Sequence, residues 1–290
     1  MPLSIKPHIS FLDKSFKENN TRSYVMAMQL NLHGLAFVLF YPEKNKVIGL
    51  QTYRFEGKKQ ASDIPMLFDL ILNQAGWFAY PYQKVYFLTQ NNFNTMIPLP
   101  LFDKDNKNLY LGFNQPFQED HRIVYDQLKN VETANVYYLA NPVAEKVKEF
   151  WPNVGICHYS TALVESLMVG FKNKLNTHHL FLDVHEDNFD LVTFKDNKLY
   201  YYNNFAYHTQ EDFIYFLLST IEHLSLNPET VQLIMMGGLD KSNPKYEMIY
   251  RYIRHSEFIQ RNENIQYSHV LENVLHHQFY TLYNVLQCEL

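Results

Sequence analysis

Apolar segments of strand length alternate with polar turns along much of the chain, and one order of segments occurs twice. Residues 28–40 and residues 182–194 each contain an apolar strand, a polar turn and a second apolar strand. In both copies an Asn-Lys pair follows, at Asn45 and at Asn197. Asparagine tolerates the left-handed backbone of a hairpin turn, so the pattern predicts a third strand after each pair. These third strands are predicted over residues 47–55 and 199–207.

Each third strand is followed by helix signals and then by another strand. Pro65 lies in the first turn of the first predicted helix, where proline is favoured. Thr209 and Asp212 have the spacing of a capping box, which marks the start of the second predicted helix. The following strands are predicted over residues 84–89 and 231–236. The order strand–strand–strand–helix–strand therefore occurs twice, and it predicts an α/β protein built from two related halves.

The remaining segments indicate where these halves begin and end. The polar stretch 173–177 lies just before the second copy and is the predicted domain boundary, which gives a first half over 1–176 and a second half over 177–290. Residues 91–132 are predicted to form an insertion in the first half. Apolar residues at helical spacing between Leu271 and Leu286 predict a single closing helix.

Composition and charge narrow the class of protein. Hydrophobic residues make up 47% of the sequence and charged residues 19%, which excludes a disordered chain. The net charge of −5 provides no bulk attraction for nucleic acid or for an anionic membrane. No apolar run approaches the roughly 20 residues that a membrane-spanning helix needs. Cys157 and Cys288 are isolated, which favours a reducing compartment. We therefore expect a cytoplasmic protein without a nucleic-acid partner or membrane insertion.

Three segments resemble a known family in the same order. Residues 114–125, Tyr137–Pro142 and Cys157–Leu163 resemble the middle region of the actin-like assembly proteins of type IV pili, and also an uncharacterised bacterial family of the same fold. With the duplication, the resemblance to the actin-like ATPase superfamily extends over nearly the whole chain. It implies a duplicated ribonuclease H-like fold, in which two halves with mixed five-stranded sheets flank a cleft that holds ATP and magnesium.

The same resemblance assigns roles to particular loops. In the superfamily, two hairpin loops with the pattern Asp-x-Gly hold phosphate and metal. Glycine lets backbone N–H groups approach phosphate, and aspartate binds Mg²⁺ or its waters. In the first loop Gln29 replaces the aspartate and Asn31 replaces the glycine, while Gly34 follows three residues later. The first phosphate loop therefore lacks both of its characteristic residues.

The second loop keeps more of the superfamily pattern. Asp183 and Asp190 match the acidic positions, whereas His185 replaces the glycine. Gly237 and Gly238 match the glycine pair that holds adenosine. The resemblance implies that these five residues are a vestigial nucleotide site, although a hairpin end and a tight turn also account for them. We expect no catalytic residues and no cofactor, with ATP and magnesium as the alternative.

Two other groups of polar residues allow a functional interpretation. The acidic loop 185–190 forms either a cation site or a solvated acidic turn. Its negative charge disfavours a triphosphate, because like charges about 4 Å apart repel by about 4 kcal/mol at an effective dielectric constant of about 20. Ser160 lies near His158, but the glycines of a nucleophile elbow are missing, which argues against a hydrolase.

The apolar segment Met96–Phe102 is the predicted contact surface for a protein partner. Its two prolines exclude a central strand, so it is either a buried crossover or an exposed apolar edge. Leu99, Leu101 and Phe102 are the candidate partner-binding residues. The resemblance to the pilus proteins implies that a short peptide of a partner docks beside the insertion. We therefore predict a non-catalytic protein-interaction or scaffold module, with an ATP-binding protein of weak or no hydrolysis as the alternative.

A run of three tyrosines, Tyr200 to Tyr202, lies in the third strand of the second copy. Tyrosine on both faces of a strand indicates that the strand is half exposed, and exposed tyrosine is enriched in protein interfaces. Ordinary core packing is the alternative interpretation, since most large aromatic side chains are buried.

Overall fold

The structure of the protein is a computed structural model that describes residues 5–74, 77–78, 80–172, 174–175 and 179–288. The chain divides into two compact units. The first unit comprises Met1–Ser166, Glu263–Asn273 and Thr281–Leu290, and the second comprises Leu167–Asn262 and Val274–Tyr280. The chain thus passes from the first unit to the second between Ser166 and Leu167. The predicted boundary at residue 176 lies outside the described residues.

Strands and helices alternate along both units. Up to residue 170 the elements are β1 (Ile9–Leu12), β2 (Val25–Asn31), β3 (Gly34–Tyr41), β4 (Lys46–Arg54), α1 (Ile64–Gln74), β5 (Lys84–Thr89), β6 (Asn94–Pro98), α2 (Lys107–Gly112), β7 (His121–Leu128), β8 (Thr133–Ala140), α3 (Asn141–Phe150), β9 (Gly155–His158) and α4 (Tyr159–Gly170). They are followed by β10 (His179–Val184), β11 (Asn188–Lys195), β12 (Lys198–Ala206), α5 (Gln210–His223), β13 (Gln232–Gly237), α6 (Pro244–Tyr252), β14 (His255–Phe258), β15 (Gln266–Tyr267) and α7 (Tyr280–Asn284). In the described parts of the chain, every helix is too short or too polar to cross a membrane.

The two copies predicted from the sequence form sheets of the same strand order. In the first unit β4, β3, β2, β5 and β9 are successive neighbours, and in the second unit β12, β11, β10, β13 and β14 follow in the same way. The first three strands of each series are antiparallel, and the last two run parallel to their neighbours. Asn45 (φ 46°) and Asn197 (φ 58°) adopt the left-handed conformation at the predicted turns. The duplicated α/β architecture is thus confirmed.

The main sheet of the first unit has seven strands, not the five expected. β1 pairs antiparallel with β4 over Gly49–Thr52, and β15 pairs parallel with β4 at Lys46 and Val47. Both added strands are short, and β15 is distant from β4 in the sequence. Their pairing is non-local, so the local apolar pattern did not predict it. Together they cover the outer edge of β4.

The inserted part of the first unit forms a separate small sheet in the order β6, β8, β7, with antiparallel pairing throughout. Pro98 ends the edge strand β6, as expected for a segment with two prolines. Ile97, Leu111, Val136 and Tyr138 form the small core of this layer. The predicted insertion 91–132 supplies β6, α2 and β7, and the sheet also includes β8, which extends to Ala140.

The single closing helix predicted between Leu271 and Leu286 is wrong, because only Tyr280–Asn284 is α-helical there. The backbone before α7 makes contacts within the second unit instead. The carbonyl of His277 accepts a hydrogen bond from Gly237 N–H (3.1 Å), and the imidazole of His277 stacks on Phe258 with 4.1 Å between ring centroids. These tertiary contacts override the helical spacing.

Candidate functional site

The acidic hairpin of the second unit is formed by the end of β10 and the start of β11. Asp183 and Asp190 are directly opposite each other in the antiparallel pairing of these strands. Their neighbours Leu182 and Leu191 belong to the buried cluster that includes the apolar face of α5. Strand side chains alternate between faces, so both aspartates lie on the other face of the sheet. Each is only 2% exposed.

The imidazole of His185 lies within reach of both carboxylates. Its Nε2 is 3.0 Å from Asp190 Oδ2 and 3.8 Å from Asp183 Oδ2. Burial alone lowers the pKa of His185, but the charges of Asp183 and Asp190 and the hydrogen bond to Asp190 outweigh burial and raise this pKa above its ordinary value. The surroundings therefore favour the imidazolium form, which partly neutralises two buried carboxylates.

Side chains from β12 and the residue after it hold this cluster in place. The hydroxyl of Tyr202 donates to Asp190 Oδ1 (2.8 Å), and Asn204 Nδ2 donates to the same oxygen (3.0 Å). Tyr207 donates its hydroxyl to the carbonyl of His185 (2.6 Å). One carboxylate oxygen of Asp190 thus faces the imidazole and the other faces β12. The sequence did not predict that Tyr202 and Asn204 belong to the site.

The glycine pair closes the cluster from the end of β13. Gly237 has φ +83°, and a Cβ there would lie 2.3 Å from the carbonyl oxygen of Val184 and 2.4 Å from Asp183 Oδ1. Gly238 N–H donates to the carbonyl of Val184 (2.7 Å), and Gly237 N–H donates to the carbonyl of His277 (3.1 Å). Both glycine N–H groups are therefore engaged within the protein.

The donor set can be compared with the preferences of metal ions. Within the described residues, Asp183, His185 and Asp190 are the one group whose potential ligand atoms, all within 4.8 Å of one another, could hold a metal ion. Mg²⁺ prefers oxygen ligands and usually keeps several waters, so an enclosed site with an imidazole suits it poorly. Glu186 is exposed and Asp187 is half-buried. The loop 185–190 thus combines a buried His–Asp pair with a solvated acidic tip.

The corresponding loop of the first unit carries neutral amides. Gln29 Nε2 and Asn31 Nδ2 both donate to Gln90 Oε1, at 2.9 and 3.0 Å. A Cβ at Gly34 would lie 2.4 Å from the carbonyl oxygen of Tyr53, so this glycine permits the close pairing of β3 with β4. The structure therefore gives Gly34 a packing role.

A second buried polar cluster, not predicted from the sequence, lies where the inserted sheet meets α4. Ser160 Oγ accepts hydrogen bonds from the amides of Asn94 and Asn135 (3.0 Å each) and lies 2.7 Å from His158 Nδ1. Ser160 and His158 are each 1% exposed. A substrate has no access to so enclosed a pair, so we interpret it as a packing feature. Asn135, a polar residue in the otherwise apolar core of β8, is the signal in the sequence that marks this cluster.

Asp126 accepts three hydrogen bonds beside this cluster. His158 N–H and Thr161 Oγ1 donate to Oδ2 at 2.8 Å each, and the hydroxyl of Tyr137 donates to Oδ1 at 3.1 Å. Asp126 keeps some surface exposure, but its carboxylate is enclosed by protein atoms. This desolvation outweighs the hydrogen bonds and raises the pKa of Asp126 to about 6. The folded state thus binds this proton more tightly than the unfolded chain does.

We expect Asp126→Asn to remove a pH dependence of stability. The stability that the Asp126 proton contributes is fully present below the pKa of the unfolded chain, near 3.8, and is lost as the pH rises through about 6. At about 1.36 kcal/mol per pKa unit, this contribution to the free energy of unfolding is at most about 3 kcal/mol. Urea unfolding at about pH 4 and about pH 7 measures the difference between variant and wild type at each pH. Asp105→Asn controls for the loss of one exposed carboxylate. A difference that is the same at both pH values contradicts the expectation.

The candidate partner-binding residues lie in the inserted layer and differ in exposure. Leu101 is 71% exposed, whereas Leu99 and Phe102 are half-buried. The ring of Phe102 packs against those of Tyr110 and Tyr125, with centroids 5.8 and 4.9 Å apart. Phe102 therefore anchors the segment to the insertion, while Leu101 faces solvent.

Further large apolar side chains of the insertion are exposed. Phe113 and Phe117, in the loop after α2, are 90% and 84% exposed, Leu109 on α2 is 60% exposed, and Tyr125 on β7 is 40% exposed. Single exposed apolar residues are ordinary, but a concentration of them in one small layer is typical of an interaction site. Leu101, Leu109, Phe113, Phe117 and Tyr125 are called the insertion surface below.

Comparisons with known proteins agree with the observed architecture. A protein-family model described as "Protein of unknown function (DUF3822)" matches residues 13–256. No curated protein matches the chain. A crystal structure from Bacteroides thetaiotaomicron, described as a protein with actin-like ATPase fold and unknown function, has a TM-score of 0.73. The two sequences are 22% identical, and the match covers 84% of this chain and 93% of that chain.

A chain of the PilM–PilN type IV pilus biogenesis complex is also similar, with a TM-score of 0.60. The identity is 11%, and the match covers 92% of this chain and 98% of that chain. At such identities the likeness shows the fold alone. It confirms the duplicated ribonuclease H-like, actin-like ATPase fold that the sequence resemblance implied.

Proposed function

The chain belongs to the DUF3822 family, and from its actin-like ATPase fold and its surface chemistry we propose that it is a protein-interaction module that does not turn over ATP. The insertion surface is the observation that carries this proposal, because it concentrates exposed aromatic and aliphatic side chains in one small layer. The cluster of Asp183, His185 and Asp190 is then a structural remnant of a nucleotide site.

The contacts in the second unit support the absence of nucleotide chemistry. A phosphate loop needs backbone N–H groups that point at the ligand. Here the N–H groups of Gly237 and Gly238 donate to protein carbonyls, and His185 N–H donates to the carbonyl of Asn188 (2.9 Å). The raised pKa of His185 favours a protonated imidazole, which supplies the kind of positive charge that Mg²⁺ provides in the superfamily. Asp183 and Asp190 therefore have a counter-ion within the protein.

The contacts in the first unit support the same conclusion. The side-chain amides of Gln29 and Asn31 both donate to the amide oxygen of Gln90. The side chains at the superfamily's aspartate and glycine positions are therefore neutral, and both are engaged by the same acceptor. Neither amide side chain carries the negative charge that attracts a divalent cation. The residues present in this loop do not suit a metal–triphosphate complex.

The insertion surface fits a short apolar segment of a protein partner. Phe113 and Phe117 are large, rigid side chains of the kind that dominate binding energy at interfaces, and Leu101 lies on a segment that Phe102 holds in place. The PilM–PilN complex is a precedent for a protein of this fold that assembles with another protein. We propose that the partner of this chain contributes aliphatic or aromatic side chains to the insertion surface.

We expect the double variant Leu101→Asp, Phe113→Asp to stay folded and to lose its partner. Both side chains face solvent, so the substitutions remove no core packing, while two charges oppose an apolar ligand. The measurement is quantitative affinity capture from the native cell. The matched control is Met66→Asp, which places a charge at a 57% exposed apolar residue on α1. A photo-crosslinking residue at Phe117 then identifies the bound segment.

Equal capture by the double variant and Met66→Asp would reject the insertion surface as the binding site. Unfolding of the double variant would contradict the exposure of the two side chains, and circular dichroism detects it.

ATP binding with weak or no hydrolysis is the second candidate function. Asp183 and Asp190 at the acidic positions and Gly237 with its positive φ favour it, because this part of the superfamily pattern is retained. Isothermal titration with ATP and Mg²⁺ distinguishes the two functions. A dissociation constant below about 100 μM, near −5.5 kcal/mol, would favour nucleotide binding, and turnover abolished by Asp183→Ala would overturn the proposed function.

A further inference from the structure

Among the described residues, the sheet of the second unit ends at β12, a strand that pairs with another strand on one side only. β12 pairs with β11 on one side, and within the described residues no strand pairs with its other side. The equivalent strand of the first copy, β4, is covered by β1 and β15. The two copies thus differ in the element that protects a sheet edge. An open edge offers backbone N–H and C=O groups on which another strand can form a ladder.

The sequence of β12 contains little that prevents such pairing, although the backbone N–H of Asn204 donates to Asn203 Oδ1 (3.0 Å) and must exchange this bond for one to the second strand. Natural edges are protected by proline, charge, short length or a bulge. β12 is nine residues long, has no proline, and has a single charged residue, Lys198, at its first position. A bulge at Tyr200 interrupts the pairing with β11, which resumes at Tyr201 and is regular through Ala206. The regular part, Tyr201–Ala206, has no charged residue.

We propose that a second copy of this chain covers this edge, with the two β12 strands antiparallel about a two-fold axis at Asn203. Residues directly opposite each other in antiparallel strands point to the same face of the sheet. A two-fold axis between two identical strands must therefore pass at a residue, which is opposite its own copy, and not between two residues. An axis at Asn203 places Tyr201 of each copy opposite Phe205 of the other. Such cross-strand aromatic pairs stabilise a sheet, whereas an axis at Asn204 would place Phe205 opposite Asn203.

The charges at the two ends of β12 are complementary in this arrangement. Lys195 and Lys198, with Asp196 between them, give the hairpin before β12 a net charge of +1, and Glu211 and Asp212 lie in the first turn of α5 just after β12. Antiparallel pairing brings the basic hairpin of one copy beside the acidic helix start of the other, twice by symmetry. Opposite charges across an interface favour the correct register and suppress others. No like charges are opposed along the strand itself.

The two-fold register has a direct test at Asn203, which is exposed. Residue 203 faces its own copy, at the short Cα separation that a disulfide requires. We expect Asn203→Cys, oxidised with copper–phenanthroline, to form a covalent dimer at least tenfold faster than the control Tyr250→Cys, a 70% exposed residue on α6. Cys157 and Cys288 are buried, and burial raises the pKa of Cys288 to about 12, so the native thiols contribute little background.

Sedimentation of the uncrosslinked protein tests the same dimer. Asn203→Lys places two like charges opposite each other at the axis, so we expect it to raise the dimer dissociation constant at least tenfold, whereas Asn203→Gln leaves it nearly unchanged. A wild-type chain that is monomeric at about 100 μM, equal dissociation constants for the Lys and Gln variants, or equal crosslinking at 203 and 250 would each overturn the proposal. None of these results bears on the insertion surface, which lies in the first unit.

Discussion

Gly237→Ala is expected to destabilise the protein by at least about 3 kcal/mol, because two independent constraints act on one position. Gly237 has φ +83°, a conformation that residues with a Cβ rarely adopt. The added methyl would also lie 2.3 Å from the carbonyl oxygen of Val184, which is backbone and cannot move without breaking the pairing of β10 with β13. Chemical denaturation of the variant and the wild type measures the loss.

Two other glycines serve as controls for the two constraints. Gly57 has φ +67° but no atom within 4 Å of an added Cβ, so Gly57→Ala is expected to cost about 1–2 kcal/mol from backbone conformation alone. Gly112, at the end of α2, has neither constraint, and Gly112→Ala is expected to be neutral or slightly stabilising. If Gly237→Ala costs no more than Gly57→Ala, the end of β13 is not held tightly against the carbonyl of Val184 in the acidic hairpin.

The elements that the sequence predicted well depend on local chemistry. The hairpins at Asn45 and Asn197 follow from the tolerance of asparagine for the left-handed conformation, and the capping box of Thr209 and Asp212 forms as expected. The elements that local pattern missed depend on distant partners. β15 exists because Gln266 and Tyr267 pair with β4, more than 200 residues earlier in the chain. The helical spacing before α7 is overridden by contacts of His277.

The candidate site divides in the same way. The acidic hairpin and the glycine pair are visible in the sequence because the superfamily resemblance fixes their order. The side chains that complete the cluster are not visible, because Tyr202 and Asn204 reach Asp190 only through the register of β11 with β12. The role of His185 as a counter-ion likewise required distances to both carboxylates. A histidine in a glycine position shows that the loop has changed, but not what it now does.

His185→Gln is expected to destabilise the protein by about 3–5 kcal/mol near neutral pH, because it removes the cation from a buried cluster and leaves two carboxylates without it. Glutamine keeps a polar side chain of similar length, so the loss reports charge more than packing. Asp183 and Asp190 are each 2% exposed and have little access to water that would screen their repulsion. His208→Gln removes an exposed histidine elsewhere in the second unit and is expected to have little effect.

Added magnesium gives this expectation a second measurement. If His185 supplies the positive charge that a metal ion would otherwise supply, about 10 mM MgCl₂ should stabilise His185→Gln but not the wild type. The expected gain in the free energy of unfolding is about 1.4 kcal/mol when the Mg²⁺ concentration is about ten times the dissociation constant of Mg²⁺. A double-mutant cycle with Asp190→Asn should return a coupling energy of at least about 1 kcal/mol, since the neutral amide no longer needs the imidazolium. A His185→Gln variant as stable as the wild type, with or without magnesium, would show that the histidine is not the counter-ion of the acidic hairpin.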